Sequence, residues 1–179
     1  MSQKPREEDF DRFLVVEGYS DLRFYAELLE SMGIVDEVYI HMGLSKIEAR
    51  DFVTLWLTPE KLARATAIAV ILDADSSPAT TRQSMAGLLS GVSGAALPQN
   101  GGWAKSPSGA RVGFFVVPGG DTDEQGEIET LAWRAWSSEA RNAPKRDCVD
   151  TFLRCMRATG SEPGSIDKAR IGALLSILN

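Results

Sequence analysis

The stretch Ala67-Ile68-Ala69-Val70-Ile71-Leu72-Asp73-Ala74-Asp75 decides the fold of this 179-residue chain. Its short apolar run, followed at once by acids, predicts a buried strand over residues 67–72. A second run, Phe13-Leu14-Val15-Val16, leads into Glu17-Gly18 and predicts another buried strand. Open α/β sheets bind ligands at the carboxyl ends of their strands. We therefore expect Glu17, Asp73 and Asp75 to lie in one crevice.

These three carboxylates repel one another unless a cation lies among them. Hard oxygen ligands around an open site favour Mg²⁺ or Mn²⁺. Asp73 and Asp75 are two residues apart, so in an extended chain both side chains point to the same face. The alternative is that the two acids only cap the helix predicted to begin at Pro78.

Strands and helices alternate from residue 13 to residue 136, which argues for a mostly parallel sheet with flanking helices. Two further strands are predicted at residues 37–41 and 112–117, which gives four strands in all. Residues 90–111 are rich in Gly, Ser and Pro, and we expect them to form a long surface loop.

The last third of the chain reads as helical, with predicted helices at residues 126–136, 144–158 and 166–178. We expect one domain, with an α/β core over residues 12–136 and a helical extension over residues 137–179 packed on it. Cys148 and Cys155 share one helix face and cannot bridge within that helix, so we expect both to be reduced.

The net charge of −6 argues against a grip on nucleic acid through bulk positive potential. The charge is uneven, with a balance of −9 over residues 1–133 and +3 over residues 134–179. No run approaches the roughly 20 apolar residues of a membrane span. The N-terminus lacks the apolar segment of a secretory signal, so we expect a cytoplasmic protein with no membrane partner.

Further charged residues are candidates for the same site. Asp21 begins the helix after Glu17, and it could be a metal ligand, an acceptor behind a ligand or a partner of the helix dipole. An acidic group over residues 121–129 follows the fourth strand, and Glu129 is the member expected to face inward. The candidate phosphate contacts, with ordinary surface charge as the alternative reading of each, are Lys46, Lys168 and Arg170.

Three segments, each at a predicted strand end, resemble the TOPRIM domain of topoisomerases, primases and OLD-family nucleases. They are Glu17-Gly18-x-x-Asp21, Asp73-x-Asp75 and Gly126-Glu127-Ile128-Glu129. The third is similar to the Gly-x-Leu-Glu segment of the OLD-like branch, with Ile128 where that branch usually has Leu. The order of segments looks like that of small stand-alone TOPRIM proteins.

The resemblance implies a Rossmann-like TOPRIM fold with a four-stranded parallel sheet. It also implies that Glu17, Asp73 and Asp75 hold Mg²⁺, with Asp21 and Glu129 as supporting or second-metal acids. Glu17, Asp73 and Asp75 are then the expected catalytic residues.

Three functions follow as hypotheses. The first is a Mg²⁺-dependent phosphodiester-cleaving enzyme, a nuclease acting on DNA or RNA. The second is a non-catalytic TOPRIM module that binds a protein partner or a nucleic-acid end, which the acidic pI of about 4.9 favours. The third is a small-molecule phosphohydrolase, because the same acids could serve a nucleotide.

Overall fold

The computed structural model describes residues 6–43, 45–119 and 124–178, apart from the side chains of Lys46, Ile177 and Leu178. The strands in this part of the chain are β1 (Arg12–Val16), β2 (Tyr39–Met42), β3 (Ala67–Asp73), β4 (Gly102–Lys105) and β5 (Arg111–Val117). The α-helices are α1 (Tyr19–Ser31), α2 (Lys46–Trp56), α3 (Pro59–Arg64), α4 (Pro78–Ser93), α5 (Ile128–Ser137), α6 (Ala143–Ala158) and α7 (Ile166–Leu178). None of these helices has both the length and the apolar content that crossing a membrane requires.

The strands form one mostly parallel sheet in the order β2-β1-β3-β5-β4. β1 pairs in parallel with β2 and with β3, and β3 pairs in parallel with β5. β4 pairs antiparallel with β5 at the edge. The prediction of an α/β fold with a mostly parallel sheet and flanking helices is therefore confirmed.

The predicted number of strands and the predicted loop over residues 90–111 were wrong. α4 continues to Ser93 and ends at Gly94, which has the left-handed φ of 67°. The fifth strand, β4, follows within the same segment. Trp103 of β4 lies opposite Gly113 of β5, where an added Cβ would come within 2.7 Å of the Trp103 ring. The missing side chain of Gly113 thus lets the two strands pair closely.

The main core lies on the face of the sheet that α2, α3 and α4 cover. Alternate residues of the central strands point to this face, as the twofold repeat of a strand requires. Leu62 of α3 and Leu89 of α4 pack into the same cluster. The strand residues of this core are Phe13 and Val15, Ile68, Val70 and Leu72, and Val112, Phe114 and Val116.

Local signals explain where the helices on this face begin. The Ser45 hydroxyl accepts a hydrogen bond from the Glu48 amide at 3.2 Å, as an N-cap does at the start of α2. Thr58 caps α3 in the same way, and Pro59 occupies the first helical position, where its missing N–H is not needed.

The chain divides into two compact units, Met1–Gln125 and Gly126–Asn179. The second contains α5, α6 and α7, close to the predicted helical ranges. Its core consists of Trp133, Val149, Leu153 and Leu174. Cys148 and Cys155 are free thiols on the exposed flank of α6. The packing of a C-terminal extension on the α/β core stays a prediction.

Candidate functional site

The carboxyl ends of β1 and β3 meet at the point where the strand order reverses. The chain moves from β1 to β2 on one side of the sheet and from β3 to β5 on the other. Ligands of open α/β sheets bind in the crevice at such a switch point. Glu17 directly follows β1, and Asp73 is the last residue of β3. The topology therefore directs both acids to the place where a ligand is expected.

Glu17 and Asp73 meet at this crevice. The backbone N–H of Asp73 donates a hydrogen bond to Oε2 of Glu17 at 3.3 Å. Glu17 is half-buried, and Asp73 is only 8% exposed. Burial of a carboxylate is costly unless other groups compensate its charge. Both acids therefore lie at the switch point, where a ligand of an open α/β sheet is expected.

Asp21 is the third acid near the carboxyl ends of β1 and β3, and a hydrogen bond fixes its carboxylate. The backbone N–H of Gly18 donates to Oδ2 of Asp21 at 2.8 Å, which closes the turn between β1 and α1. Asp21 is 7% exposed. Because Gly18 follows Glu17 directly, Asp21 holds the backbone from which the Glu17 side chain projects.

Tyr25 completes the site, and sequence reasoning missed this role. Burial raises the pKa of the Tyr25 hydroxyl well above its usual range, and the nearby charges of Asp21 and Asp73 raise the pKa further. The hydroxyl is therefore harder to ionise than that of an ordinary tyrosine, which is itself neutral at pH 7. The available signal was spacing, since Tyr25 follows Asp21 by four residues and lies on the same helix face.

Asp75 does not continue the strand. Its φ is +49°, in the left-handed region, and its side chain is exposed. The extended chain that would point Asp73 and Asp75 to the same face is thus absent. Among the described residues, no three His, Cys, Asp or Glu side chains form a group that could hold a metal ion. The metal-binding role of Asp75 stays a prediction.

Residues 11–179 match the protein family described as "Protein of unknown function (DUF3226)". The chain belongs to the DUF3226 family. The match begins one residue before β1 and extends past α7, so it covers the second compact unit of this DUF3226 chain whole and the first from residue 11 onward. No curated protein and no solved structure matches the chain.

The C-terminal unit of the DUF3226 chain holds three of the predicted site residues. Glu129 is buried in the first turn of α5. Lys168 forms an ion pair with Glu127, at 2.6 Å between Nζ and Oε2. Arg170 donates to Asp150 and Asp167, each at 2.9 Å, and lies over the Trp133 ring. The two cations therefore already have acidic partners within their own unit.

Two further predicted positions fall partly outside the described residues of the DUF3226 chain. Lys46 is the first residue of α2, but its side chain is not among the described ones. The acidic group over residues 121–129 is described only from Glu124 onward. The proposed roles of Lys46 and of the preceding acids stay predictions.

The donor set of the DUF3226 chain suits one hard cation in an open site. Mg²⁺ is usually held by one or two carboxylates, with waters and substrate phosphates as its other ligands. Glu17 and Asp73 stand at the ends of two neighbouring strands, and each side chain offers only carboxylate oxygens as ligands. A site of this kind does not need three metal-binding side chains, and no such group of three is found among the described residues.

His41, the only histidine, packs as a structural residue. Its ring stacks on Phe52 at 3.3 Å between centroids and 8° between planes. Burial lowers the pKa of His41, Lys61 lowers it too, and the opposing effect of Glu7 is smaller than the sum. The neutral ring is thus the form that the folded state prefers.

We expect stability to fall as the pH drops below about 6.5, the ordinary value of a histidine. In that range the unfolded chain binds a proton at His41 more readily than the folded chain, so acid favours unfolding. The substitution His41→Phe keeps a stacked ring and removes the titration. Urea unfolding between pH 5 and pH 8 measures the free energy of unfolding of parent and variant. The difference between the two should change as the pH falls. A constant difference across this range would contradict the assignment.

Proposed function

We propose that this protein is a Mg²⁺-dependent enzyme that cleaves phosphodiester bonds in DNA or RNA. The observation that carries the proposal is the meeting of Glu17 and Asp73 at the switch point of the sheet, where the Asp73 amide donates to the Glu17 carboxylate. We also propose that the α/β unit is a Rossmann-like, TOPRIM-type domain with β4 as an added edge strand. The positions of Glu17, Asp21 and Asp73 at two neighbouring strand ends support this.

The residues of the chain have separate tasks in this proposal. Glu17 and Asp73 would hold the cation, with Asp75 as a further acid that the TOPRIM resemblance implies, and a metal-binding role of Glu129 stays a prediction. Asp21 orients the Glu17 turn through its bond to Gly18. When bound, Mg²⁺ (or Mn²⁺) would polarise the scissile phosphate and lower the pKa of a bound water.

Tyr25 places a neutral hydroxyl near the acids. Its hydroxyl remains protonated near Asp21 and Asp73, as the direction of its pKa shift indicates. A protonated hydroxyl can donate a hydrogen bond to a carboxylate, whereas a phenolate would repel it.

A substrate panel tests the function. The whole chain would be incubated with single-stranded DNA, duplex DNA, RNA, and generic phosphodiester and phosphomonoester compounds, each in Mg²⁺, in Mn²⁺ and in EDTA. We expect cleavage of a nucleic acid in Mg²⁺ or Mn²⁺ and none in EDTA. Hydrolysis of small esters alone would identify a small-molecule phosphohydrolase instead.

A second function is a module that binds a protein partner or a nucleic-acid end without catalysis. The observation that favours it is the lack of a three-ligand metal group among the described residues. Calorimetric titration with Mg²⁺ and Mn²⁺ separates the two functions. Binding in the millimolar range or tighter supports the enzyme, and no heat of binding in that range supports the module.

A further inference from the structure

A small pocket of about 160 Å³ opens between α2 and α4 at the carboxyl end of β3. It lies entirely within the Met1–Gln125 unit. Arg50 comes from α2, Leu72 comes from β3, and the other residues come from the first turns of α4. The lining residues are Arg50, Leu72, Thr80, Thr81, Ser84 and Met85.

The pocket adjoins the acids through the strand itself. Leu72 lines the pocket, and the next residue, Asp73, is one of the two acids in the crevice. Side chains alternate along a strand, so Leu72 and Asp73 point to opposite faces of the sheet. The pocket and the acids therefore lie on either side of the carboxyl end of β3. A nucleic-acid strand that lies across this end of the sheet would contact both.

The lining combines a cation, three hydroxyls and an apolar floor. Arg50 is exposed, and in the part of the chain that the structure describes its guanidinium forms no ion pair with a carboxylate. Guanidinium groups match phosphate oxygens with two parallel hydrogen bonds. The floor consists of Leu72 and Met85, which are 2% and 1% exposed.

The size and chemistry of the pocket restrict its ligand. Pockets for whole drug-sized molecules measure about 300–1,000 Å³, so this one accepts a smaller group. Arg50 and the hydroxyls suit a phosphate, and the floor suits the apolar side of a sugar. We propose that the pocket binds the sugar and phosphate of one nucleotide in a nucleic-acid strand whose neighbouring phosphodiester lies at Glu17 and Asp73. The identity of the ligand as a substrate strand rests on the proposed function.

The test is binding of a fluorescein-labelled thymidine 12-mer to the whole chain in Ca²⁺, a cation that carboxylate oxygens also bind, with a denaturing gel to check that the 12-mer stays intact. We expect Arg50→Ala to weaken binding about tenfold or more, because a charge-assisted hydrogen bond is lost. The matched control is Arg64→Ala. Arg64 is also exposed, but it lies before the amino end of β3, away from the carboxyl end where the pocket opens. Its loss should therefore change the affinity by less than about twofold.

Equal affinities of the two variants, or no binding by the parent chain, would overturn the proposal. Thymidine 5′-monophosphate serves as a competitor, and we expect it to displace the 12-mer only in large excess. Displacement at equal concentrations would overturn the assignment to a strand and point to a free nucleotide. Circular dichroism of each variant checks the fold.

The outcomes separate this inference from the proposed function. If Arg50→Ala loses affinity but no substrate in the panel is cleaved, the binding role of the pocket is supported and the proposed enzymatic activity is contradicted. If the parent cleaves nucleic acid and Arg50→Ala cleaves it with an unchanged KM, the proposed enzymatic activity is supported and the binding role of the pocket is contradicted.

Discussion

Replacing Asp73 and Asp75 together by Asn should lower Mg²⁺-dependent cleavage by about 10³-fold or more, because the charge stabilisation from a bound metal is worth several kcal/mol. Asn matches Asp in size, and loss of a buried negative charge relieves repulsion from Glu17. We therefore expect the double variant to fold as the parent does. Initial cleavage rates at saturating Mg²⁺, together with urea unfolding, measure both effects.

The single variants refine this result. Asp73 is buried at the switch point, whereas Asp75 is exposed with a left-handed backbone that Asn also tolerates. We expect Asp73→Asn alone to produce most of the loss. Asp36→Asn is the control. Asp36 is exposed in the turn before the amino end of β2, whereas the candidate site lies at the carboxyl ends of β1 and β3. A double variant that cuts as fast as the parent would falsify the proposed function.

Replacing Leu89 by Ala should lower the free energy of unfolding by about 2–5 kcal/mol. Leu89 is 0% exposed in α4, and it packs in the cluster that joins α4 to β3 and β5. The substitution removes buried apolar surface and leaves a cavity that the closely packed sheet cannot fill. Since β3 carries Asp73, the loss of packing weakens the support of the candidate site as well.

Leu55→Ala is the matched control, since the same atoms are removed from the same unit. Leu55 is 80% exposed on α2, so we expect a change within about 0.5 kcal/mol. Equilibrium unfolding in urea, followed by circular dichroism, compares the two variants with the parent. Similar losses in both would mean that the main core does not lie beneath α4.

The central strands and most helices could be predicted because their signals are local. The apolar run over residues 67–72 is long enough for a buried strand and is followed at once by turn residues. Ser45 and Thr58 are N-cap residues whose side chains determine where two helices begin. β4 could not be read in this way, because its four residues lie among Gly, Ser and Pro and become a strand only by pairing with β5.

The candidate site was only partly predictable. Parallel strand ends were enough to bring Glu17 and Asp73 together, but the backbone turn at Asp75 depends on the loop that follows. Tyr25 resembled any other apolar residue of α1, because its effect depends on burial beside two acids. Arg50 carried no signal, since α2 and α4 meet only in the folded chain.

The most direct measurement of the central claim is a crystal structure of the protein soaked in Mn²⁺, with the ion located by its anomalous scattering. We predict an ion at the switch point between β1 and β3, bonded to carboxylate oxygens of Glu17 and Asp73. An ion-free crevice at millimolar Mn²⁺, or an ion bound only at other residues, would contradict the account.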